Sequence, residues 1–279
     1  MALKEEVIKQ ITDYVKKEPR TIQDVSRLIG KSWVTTDSYV KKIKDLTGLV
    51  DVKTFRKGTQ GALKVVFYNH SDSLVTDDVR ENLYYQLRNS RAKTDFDFME
   101  IFQYVQEDKK KAILEEYDKE EVSKNQQIVS LFRKAINQVY CFSGNLSFIN
   151  IEENNVKIFS VIEELLKRKI RFKILTRVNI ASISNLNKLT SLTAKYSDLV
   201  EIKHCYQPLR GFIIDDKVAR FKNEEQLKTY KKGELHKNTR IFYEIYDPDW
   251  IAWLQKVFWN LFRSSIDYNT RLNEIKKIF

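Results

Sequence analysis

The chain of 279 residues contains little glycine, proline and cysteine. With only 7 glycines and 3 prolines it has few residues that interrupt regular structure, which excludes a fibrous or disordered chain and favours long elements. Its two cysteines, Cys141 and Cys205, are too few for a disulfide framework or a four-cysteine zinc site. The sequence therefore predicts a globular protein with two free thiols, no metal ion and no cofactor.

The chain also lacks a long hydrophobic run. The longest apolar stretch, Trp250 to Phe262, is interrupted by Gln255 and Lys256, whereas a helix that spans a bilayer needs about 20 apolar residues. The first residues are charged and contain no apolar core of a signal peptide. We therefore expect a soluble, cytoplasmic protein that does not associate with a membrane.

Positive charge is in excess. Lys and Arg number 49 against 38 Asp and Glu, a net charge of +11, and residues 1–70 carry 14 of the basic and 8 of the acidic residues. An excess of this kind suits a polyanionic partner such as nucleic acid. A lysine-rich, solvated surface would give the same composition, so the position of the charges has to decide.

The first 70 residues follow a helical pattern. Apolar residues recur at helical spacing in Leu3–Val15 and Thr21–Ile29, and Gly30 suits a tight turn after the second segment. A third segment, Ser32 to Leu46, carries an apolar stripe on one side and hydroxyls and lysines on the other. Two helices joined by a short glycine-containing turn are typical of a helix-turn-helix.

A hairpin is expected directly after the third helix. Leu49–Phe55 and Ala62–Tyr68 are rich in β-forming residues, and the basic, glycine-containing segment 56–61 separates them. Such a hairpin can be the wing of a winged helix-turn-helix, which contacts DNA beside the recognition helix. An ordinary hairpin with a basic loop is the alternative for this segment taken alone.

The third helix and the hairpin loop supply the candidate DNA contacts. Hydroxyl groups reach base edges or phosphates, and cations neutralise phosphates. The predicted base-reading or backbone-positioning residues are Thr35, Thr36, Ser38 and Tyr39. The predicted phosphate contacts are Lys31, Lys41, Lys42, Lys44, Arg56 and Lys57.

Residues 71–137 are predicted to be a helical linker. The pattern is helical over 72–106 and 122–137, and the dense charges of 108–121 are typical of a solvated helix. These helices would either pack the two domains together or pair with a second copy of the chain.

Residues 138–279 alternate between strand and helix patterns, which predicts an α/β domain with a mixed sheet. The predicted strands are 139–142, 170–176, 200–205, 210–214, 218–221 and 240–246, and the predicted helices are 156–167, 180–196, 248–262 and 266–279.

Three stretches of this domain resemble a single phospholipase D-like domain: Phe142–Asn145, Arg210–Asp216 and the closing aromatic segment Phe258–Phe262. A basic winged helix followed by such a domain is similar to the TrmB-like transcriptional regulators of archaea. Active members of the phospholipase D-like family place two half-sites face to face, so the resemblance implies a homodimer.

The catalytic pattern of that family, HxK(x)4D, is incomplete here. Counting back from Asp215 puts Arg210 at the lysine position and Pro208 at the histidine position, and proline cannot be the nucleophile. No dinucleotide, P-loop, zinc-protease or nucleophile-elbow motif occurs. We therefore predict that the domain is not an enzyme.

Arg210 and Asp215 of this pattern remain on one predicted strand, and Ser143 and Asn145 lie on a neighbouring turn. They are interpreted either as a remnant pocket for an anionic or polyol ligand, or as a salt bridge and a turn that hold the sheet together.

The sequence as a whole predicts a homodimeric transcriptional regulator that binds double-stranded DNA. Residues 1–70 form the winged helix-turn-helix domain, 71–137 the linker or dimerisation segment, and 138–279 a phospholipase D-like sensor or dimerisation domain. An effector molecule is left open. The alternatives are a nuclease with a winged-helix targeting domain and a protein–protein adaptor.

Overall fold

The computed structural model describes residues 3–56, 62–68, 78–118, 127–231 and 235–277. The chain divides into two compact units, Met1–Thr76 and Asp77–Phe279. The segment expected to link two domains thus falls mainly within the second unit. Among the described residues, no helix combines the length and the apolarity needed to cross a membrane.

The first unit is a winged helix-turn-helix, as predicted. Its elements in chain order are α1 (Glu5–Lys17), β1 (Arg20–Thr21), α2 (Ile22–Ile29), α3 (Trp33–Thr47), β2 (Val50–Arg56) and β3 (Ala62–Tyr68). The strands form an antiparallel sheet in the order β1-β3-β2. The short strand β1, which joins α1 to α2, was not predicted.

Capping residues fix the turn between α2 and α3. The Thr21 side chain accepts a hydrogen bond from the Asp24 amide and the Asp24 side chain accepts one from the Thr21 amide, a capping box that starts α2. Gly30 ends α2 at a φ of 61°, a left-handed conformation that glycine adopts without strain. Ser32 then caps α3 by accepting from the Thr35 amide. The orientation of α3 therefore depends on local sequence.

The second unit contains more helices and strands than the first. Its helices are α4 (Asp78–Asn89), α5 (Met99–Phe102), α6 (Ile128–Arg133), α7 (Ile158–Lys167), α8 (Ile180–Lys195), α9 (Pro248–Ser264) and α10 (Tyr268–Lys276). Its strands are β4 (Lys110–Tyr117), β5 (Gln138–Phe142), β6 (Glu152–Glu153), β7 (Val156–Lys157), β8 (Arg171–Thr176), β9 (Val200–His204), β10 (Gly211–Ile214), β11 (Val218–Glu225), β12 (Asn238–Ile245) and β13 (Ile266–Asp267). Short 3₁₀ helices cover Glu107–Lys109, Ser147–Asn150 and Leu227–Thr229.

Eight of these strands form one mixed sheet in the order β13-β9-β8-β5-β10-β11-β12-β4. β5, β8 and β9 are parallel to one another, and the remaining pairs are antiparallel. The predicted α/β class with a mixed sheet is confirmed. β6 and β7 form a separate small hairpin that was not predicted.

Helices cover both faces of this sheet. On one face, Cys141 of β5 and Phe172 of β8 belong to a large core with residues of α6, α7, α8 and α10. On the other face, Phe142 packs edge-on against Phe258 of α9 at a centroid distance of 5.2 Å. Because neighbouring residues of a strand point to opposite faces, β5 contributes to both cores and is buried throughout.

The predicted helix over 108–121 is wrong. Residues Lys110–Tyr117 are the edge strand β4, which pairs with β12 over eight residues. Dense charge indicated a solvated helix, but the partner strand lies more than a hundred residues later in the chain, where local patterns give no signal. The predicted helices 72–106 and 122–137 are shortened to α4, α5 and α6, and their parts at 72–77 and 122–126 lie outside the described residues.

Candidate nucleic-acid interface and cavity

One side of α3 is exposed and carries no large apolar cluster. Val34, Ser38, Lys41 and Lys42 are exposed, and their spacing of three to four residues puts them on one side of the helix. We call these four residues the outer face of α3. Lys31 and Ser32, directly before the helix, are also exposed. The outer face offers one apolar group, one hydroxyl and two cations.

The opposite side of α3 is buried. Thr36 is fully buried and its hydroxyl donates to the Ser32 carbonyl at 2.9 Å, while Tyr39 belongs to the core of the unit with Val40 and Ile43. Neither side chain is available to a duplex in this structure, so Thr36 and Tyr39 leave the predicted set of DNA contacts. Both are polar enough to suggest a surface position, but their helical phase with Val40 and Ile43 places them inside.

Two lysines of α3 have carboxylate partners within the unit. The Lys44 ammonium lies 2.7 Å from an oxygen of Asp51, which ties α3 to β2. Asp37 lies 2.6 Å from Lys64 and 3.1 Å from Lys41. Burial alone would raise the pKa of Asp37, but the hydrogen bonds from Lys64 and Lys41 outweigh it and hold the pKa below its ordinary value. Lys44 is thus a structural contact first, whereas Lys41 remains 65% exposed.

The amino-terminal turn of α3 contains exposed apolar groups that the sequence interpretation did not select. Val34 is 73% exposed, and Trp33 is 39% exposed with the Lys64 ammonium 5.0 Å above its ring. Thr35 is half-buried and its hydroxyl lies 2.9 Å from that of Ser32. Patterns of hydroxyl and charged residues cannot reveal that a valine at the start of α3 is exposed.

The predicted contacts at the wing tip are outside the structural description. Arg56 is the last residue of β2, but its side chain, like the whole of Lys57, lies outside the described residues. Both residues stay predicted phosphate contacts.

The second unit contains a cavity of about 1050 Å³ at the carboxyl ends of the parallel strands of the large sheet. Ser143 follows β5 and Arg177 follows β8, and these two strands end on the same side of the sheet. Arg210 precedes β10, whose residue Gly211 pairs with Phe142, so Arg210 comes to the same place. The charged lining residues are Lys93, Arg177, Arg210, Arg220, Lys222 and Lys228 against Asp97, Glu224 and Glu225. The cavity therefore has more positive than negative groups.

Arg210 is a cation of this cavity whose hydrogen-bond partners are carbonyl groups. Its guanidinium donates to the carbonyls of Gln207 at 3.1 Å and Leu209 at 2.7 Å, and among the described residues no carboxylate forms an ion pair with it. Burial and the nearby charge of Arg177 lower the pKa of Arg210 to about 10. A Cβ atom on Gly144 would lie 2.7 Å from Nε of Arg210, so a glycine is needed for the guanidinium to reach this position. The arrangement favours an anion.

Asp215 is not part of this cavity. It lies at the other end of β10, about 16 Å from Arg210 at 3.3 Å per residue. Its carboxylate accepts hydrogen bonds from the amides of Ile136 and Asn137 at 2.8 Å and of Gln138 at 2.9 Å. The proposed salt bridge between Arg210 and Asp215 is therefore wrong. Asp215 instead ties the start of β5 to the turn after β10.

Ser143 and Asn145 line the cavity and also stabilise its loop. The Ser143 hydroxyl accepts from the Leu146 amide at 2.9 Å, and the Asn145 side chain accepts from the Ser147 amide at 3.1 Å. The structure thus brings Ser143, Asn145 and Arg210 together. The turn that holds this loop is present, and a pocket for an anionic or polyol ligand stays a prediction.

The histidine nearest to the degenerate pattern is engaged elsewhere. Nδ1 of His204 accepts from the Val178 amide at 2.9 Å, and burial lowers its pKa. Pro208, at the histidine position of the pattern, does line the cavity. Within the described part of the chain, no group of three or more His, Cys, Asp or Glu side chains is placed to hold a metal ion.

Neither a protein-family model nor a curated protein matches the chain in sequence. Several solved structures are similar to the chain in fold. TrmBL2, described as an archaeal chromatin protein with a novel mode of DNA binding, matches 94% of this chain and 93% of its own at 13% identity and a TM-score of 0.41. Nuc from Salmonella typhimurium, a phospholipase D family member, matches over 57% and 98% at 15% identity and a TM-score of 0.38.

Phosphatidylserine synthase of Haemophilus influenzae matches 61% of this chain and 45% of its own length, with 14% identity and a TM-score of 0.39. Enzymes thus occur among the similar structures, and the prediction that this protein is not an enzyme is withdrawn. At these identities the likeness concerns the fold. The chain is similar in fold both to a TrmB-like protein and to phospholipase D-like proteins.

Proposed function

We propose that this protein is a transcriptional regulator that binds double-stranded DNA sequence-specifically, as a homodimer, through the outer face of α3. The observation that carries the proposal is the composition of that face: a hydroxyl and an apolar group beside Lys41 and Lys42, on a helix fixed by caps and by core packing. Cations supply affinity for phosphates, and short side chains supply contacts with base edges. An adaptor surface for basic partners would instead need exposed carboxylates here.

The test is binding to labelled duplexes, measured by fluorescence anisotropy at several salt concentrations, with a pool of random sequences for selection. We expect the logarithm of the affinity to fall with the logarithm of the salt concentration, with a slope of about −3 to −6 for a few phosphate contacts per protomer. We also expect a two-fold symmetric motif with half-sites about one helical turn, or a multiple of it, apart.

Two results would contradict the proposal. Absence of binding at low salt would exclude the DNA interface and leave the adaptor function. Binding without any sequence preference would indicate an architectural or nuclease function, and cleavage of the duplex would then be assayed directly.

Val34 gives a further prediction for the recognition of bases. An exposed apolar side chain in the first turn of a recognition helix suits the methyl group of thymine. Replacing the contacted thymine of the selected duplex by deoxyuridine is expected to weaken wild-type binding by about three- to tenfold, and Val34→Ala to weaken it equally. In the Val34→Ala protein the deoxyuridine replacement should have no further effect. Independent, multiplicative losses would show that Val34 does not contact the methyl group.

We propose a second function for the cavity of the second unit, the binding of a phosphate-bearing ligand. Arg177 and Arg210 supply two positive charges there, and Arg210 has only carbonyl partners among the contacts described above. Incubation of the purified protein with a chromogenic phosphodiester, with and without a chelator, reports whether the protein hydrolyses a phosphodiester bond.

A further inference from the structure

We infer that two copies of this chain associate by antiparallel pairing of their β4 strands, so that the two large sheets become one continuous sheet. The inference rests on the proposed homodimer and names its surface. β4 is the last strand of the eight-stranded sheet and pairs with β12 on one side only, within the described residues.

In the part of the chain that the structure describes, the outer edge of β4 has few of the devices that protect edge strands. Its pairing with β12 runs without a bulge from Lys110 to Tyr117, a length of about 27 Å at 3.4 Å per residue. It contains no proline, and Leu114 is 67% exposed. At the other edge of the sheet β13 has only two residues. Protected edges are short, bulged, interrupted by proline or charged, and only the last of these applies to β4.

The charges on β4 have an order that matters. The strand reads Lys-Lys-Ala-Ile-Leu-Glu-Glu-Tyr, with two cations near its start and two carboxylates near its end. In a parallel arrangement like charges would meet, whereas an antiparallel arrangement of two copies brings each cation near a carboxylate. The edge therefore discourages random pairing and favours pairing with an antiparallel copy of itself.

The pleat of the strand selects the register. A two-fold axis perpendicular to the sheet keeps each face continuous, so residues that lie opposite each other must both be even-numbered or both be odd-numbered. With the axis at Ile113, Lys110 lies opposite Glu116 and Lys111 opposite Glu115, and each of these pairs occurs twice. With the axis at Leu114, Glu115 would instead face Ile113. Charge and pleat together favour the register centred on Ile113.

Lys110 already forms an ion pair with Glu107 at 2.7 Å and its side chain is only 9% exposed, so the pair of Lys111 and Glu115 carries this register. Glu115 lies 3.9 Å from Arg240 and is largely buried, so a partner's lysine would join an existing ion pair. Lys111, Ala112, Leu114 and Glu116 are exposed. In this register Leu114 packs against Ala112 of the second copy, which removes the exposed leucine from water on both sides.

Sedimentation equilibrium without DNA tests the association. We expect a mass of twice 33.2 kDa for the wild type. Lys111→Glu places carboxylates opposite Glu115 on both sides and is expected to raise the dissociation constant by about tenfold or more. Leu114→Lys, at an exposed position, should do the same. Lys217→Glu makes the same change of charge in the exposed turn after β10 and should leave the dimer intact.

Cysteine cross-linking tests the register. Residues directly opposite in antiparallel strands have Cβ atoms about 4.5–5.5 Å apart, within reach of a disulfide after small shifts. On mild oxidation Ile113→Cys should give a covalent dimer, whereas Leu114→Cys should not. The wild-type protein, with Cys141 buried and Cys205 half-buried, is the blank and shows any cross-link through the native thiols.

A monomeric wild type would overturn the inference, and so would a dimer that tolerates Lys111→Glu and cross-links at 114 or at neither position. These outcomes are separate from the proposed function. A dimer of the expected register that binds no DNA would refute the regulator proposal alone. A DNA-binding dimer that forms through another surface would refute this inference alone, and a DNA-binding monomer would refute the inference together with the proposed homodimer.

Discussion

Replacing Lys41 and Lys42 by glutamate is expected to lower the affinity for duplex DNA by about a hundredfold or more at 50 mM salt. Each lysine of the outer face is placed to make one charge-assisted contact with a phosphate, worth about 1.5–3 kcal/mol, and each 1.4 kcal/mol is a factor of ten. The reversed charges add repulsion. With alanine at both positions a dimer loses four phosphate contacts, so the salt dependence should become shallower by about three to four units.

The folded unit is expected to tolerate both changes. Lys41 is 65% exposed, and an exposed ion pair of this kind contributes about 0–1 kcal/mol to stability. Asp37, its partner, keeps Lys64 at 2.6 Å and so does not become an unpaired buried charge. A urea unfolding curve superimposable on the wild-type curve, within about 1 kcal/mol, verifies this expectation.

Lys4→Glu together with Lys9→Glu is the matched control. Both lysines are exposed, in or beside α1 of the same unit, and the substitution changes the net charge by the same amount. The control should retain most of the affinity. If it loses as much affinity as the α3 variant, binding depends on net charge alone and the outer face of α3 has no special part in it.

The sequence predicted α3 well but could not define its two sides completely. The stripe of Val40 and Ile43 correctly marked the centre of the buried side. The margins of that side depend on what packs against it, and there Thr36 and Tyr39 are buried although their side chains are polar. Val34 was missed for the opposite reason, since an apolar residue gives no signal of a binding surface until its exposure is known.

In the second unit the strands that alternate with helices were predictable, and β4 was not. Its lysines and glutamates have the composition of a solvated helix, and only its pairing with β12 makes it a strand. The position of Asp215 was available from the sequence in principle. A strand of four residues separates it from Arg210, and the rise of a strand excludes contact between the two side chains.

Replacing Arg210 by methionine is expected to weaken the binding of phosphate groups in the cavity by about ten- to a hundredfold while making the free protein slightly more stable. The guanidinium is mostly removed from water and lies near a second cation, Arg177, which together lower its pKa to about 10. A buried charge without an opposite partner costs free energy, so an apolar residue of similar length should raise the free energy of unfolding by about 1 kcal/mol. Water in the cavity can solvate the carbonyls of Gln207 and Leu209 that lose their donor.

Thermal unfolding in the presence of pyrophosphate and of inorganic phosphate measures the binding. For the wild type the unfolding temperature should rise with the concentration of either anion, because only the folded state has the site. Since a charge-assisted contact contributes about 1.5–3 kcal/mol, Arg210→Met should need about ten- to a hundredfold more anion for the same rise in unfolding temperature. Arg177→Met should weaken it as well, since Arg177 lines the same cavity.

Arg133→Met separates the cavity from a general effect of removing an arginine. Arg133 is half-exposed, pairs with Glu164 at 3.3 Å and does not line the cavity, so its loss should change neither the response to anions nor the stability by more than about 1 kcal/mol. If Arg210→Met responds to pyrophosphate like the wild type, the anion binds elsewhere. If Arg210→Met is instead less stable than the wild type, the hydrogen bonds of the guanidinium to the loop carbonyls stabilise the fold. The expected gain in stability, which would indicate a site formed for a ligand, is then refuted.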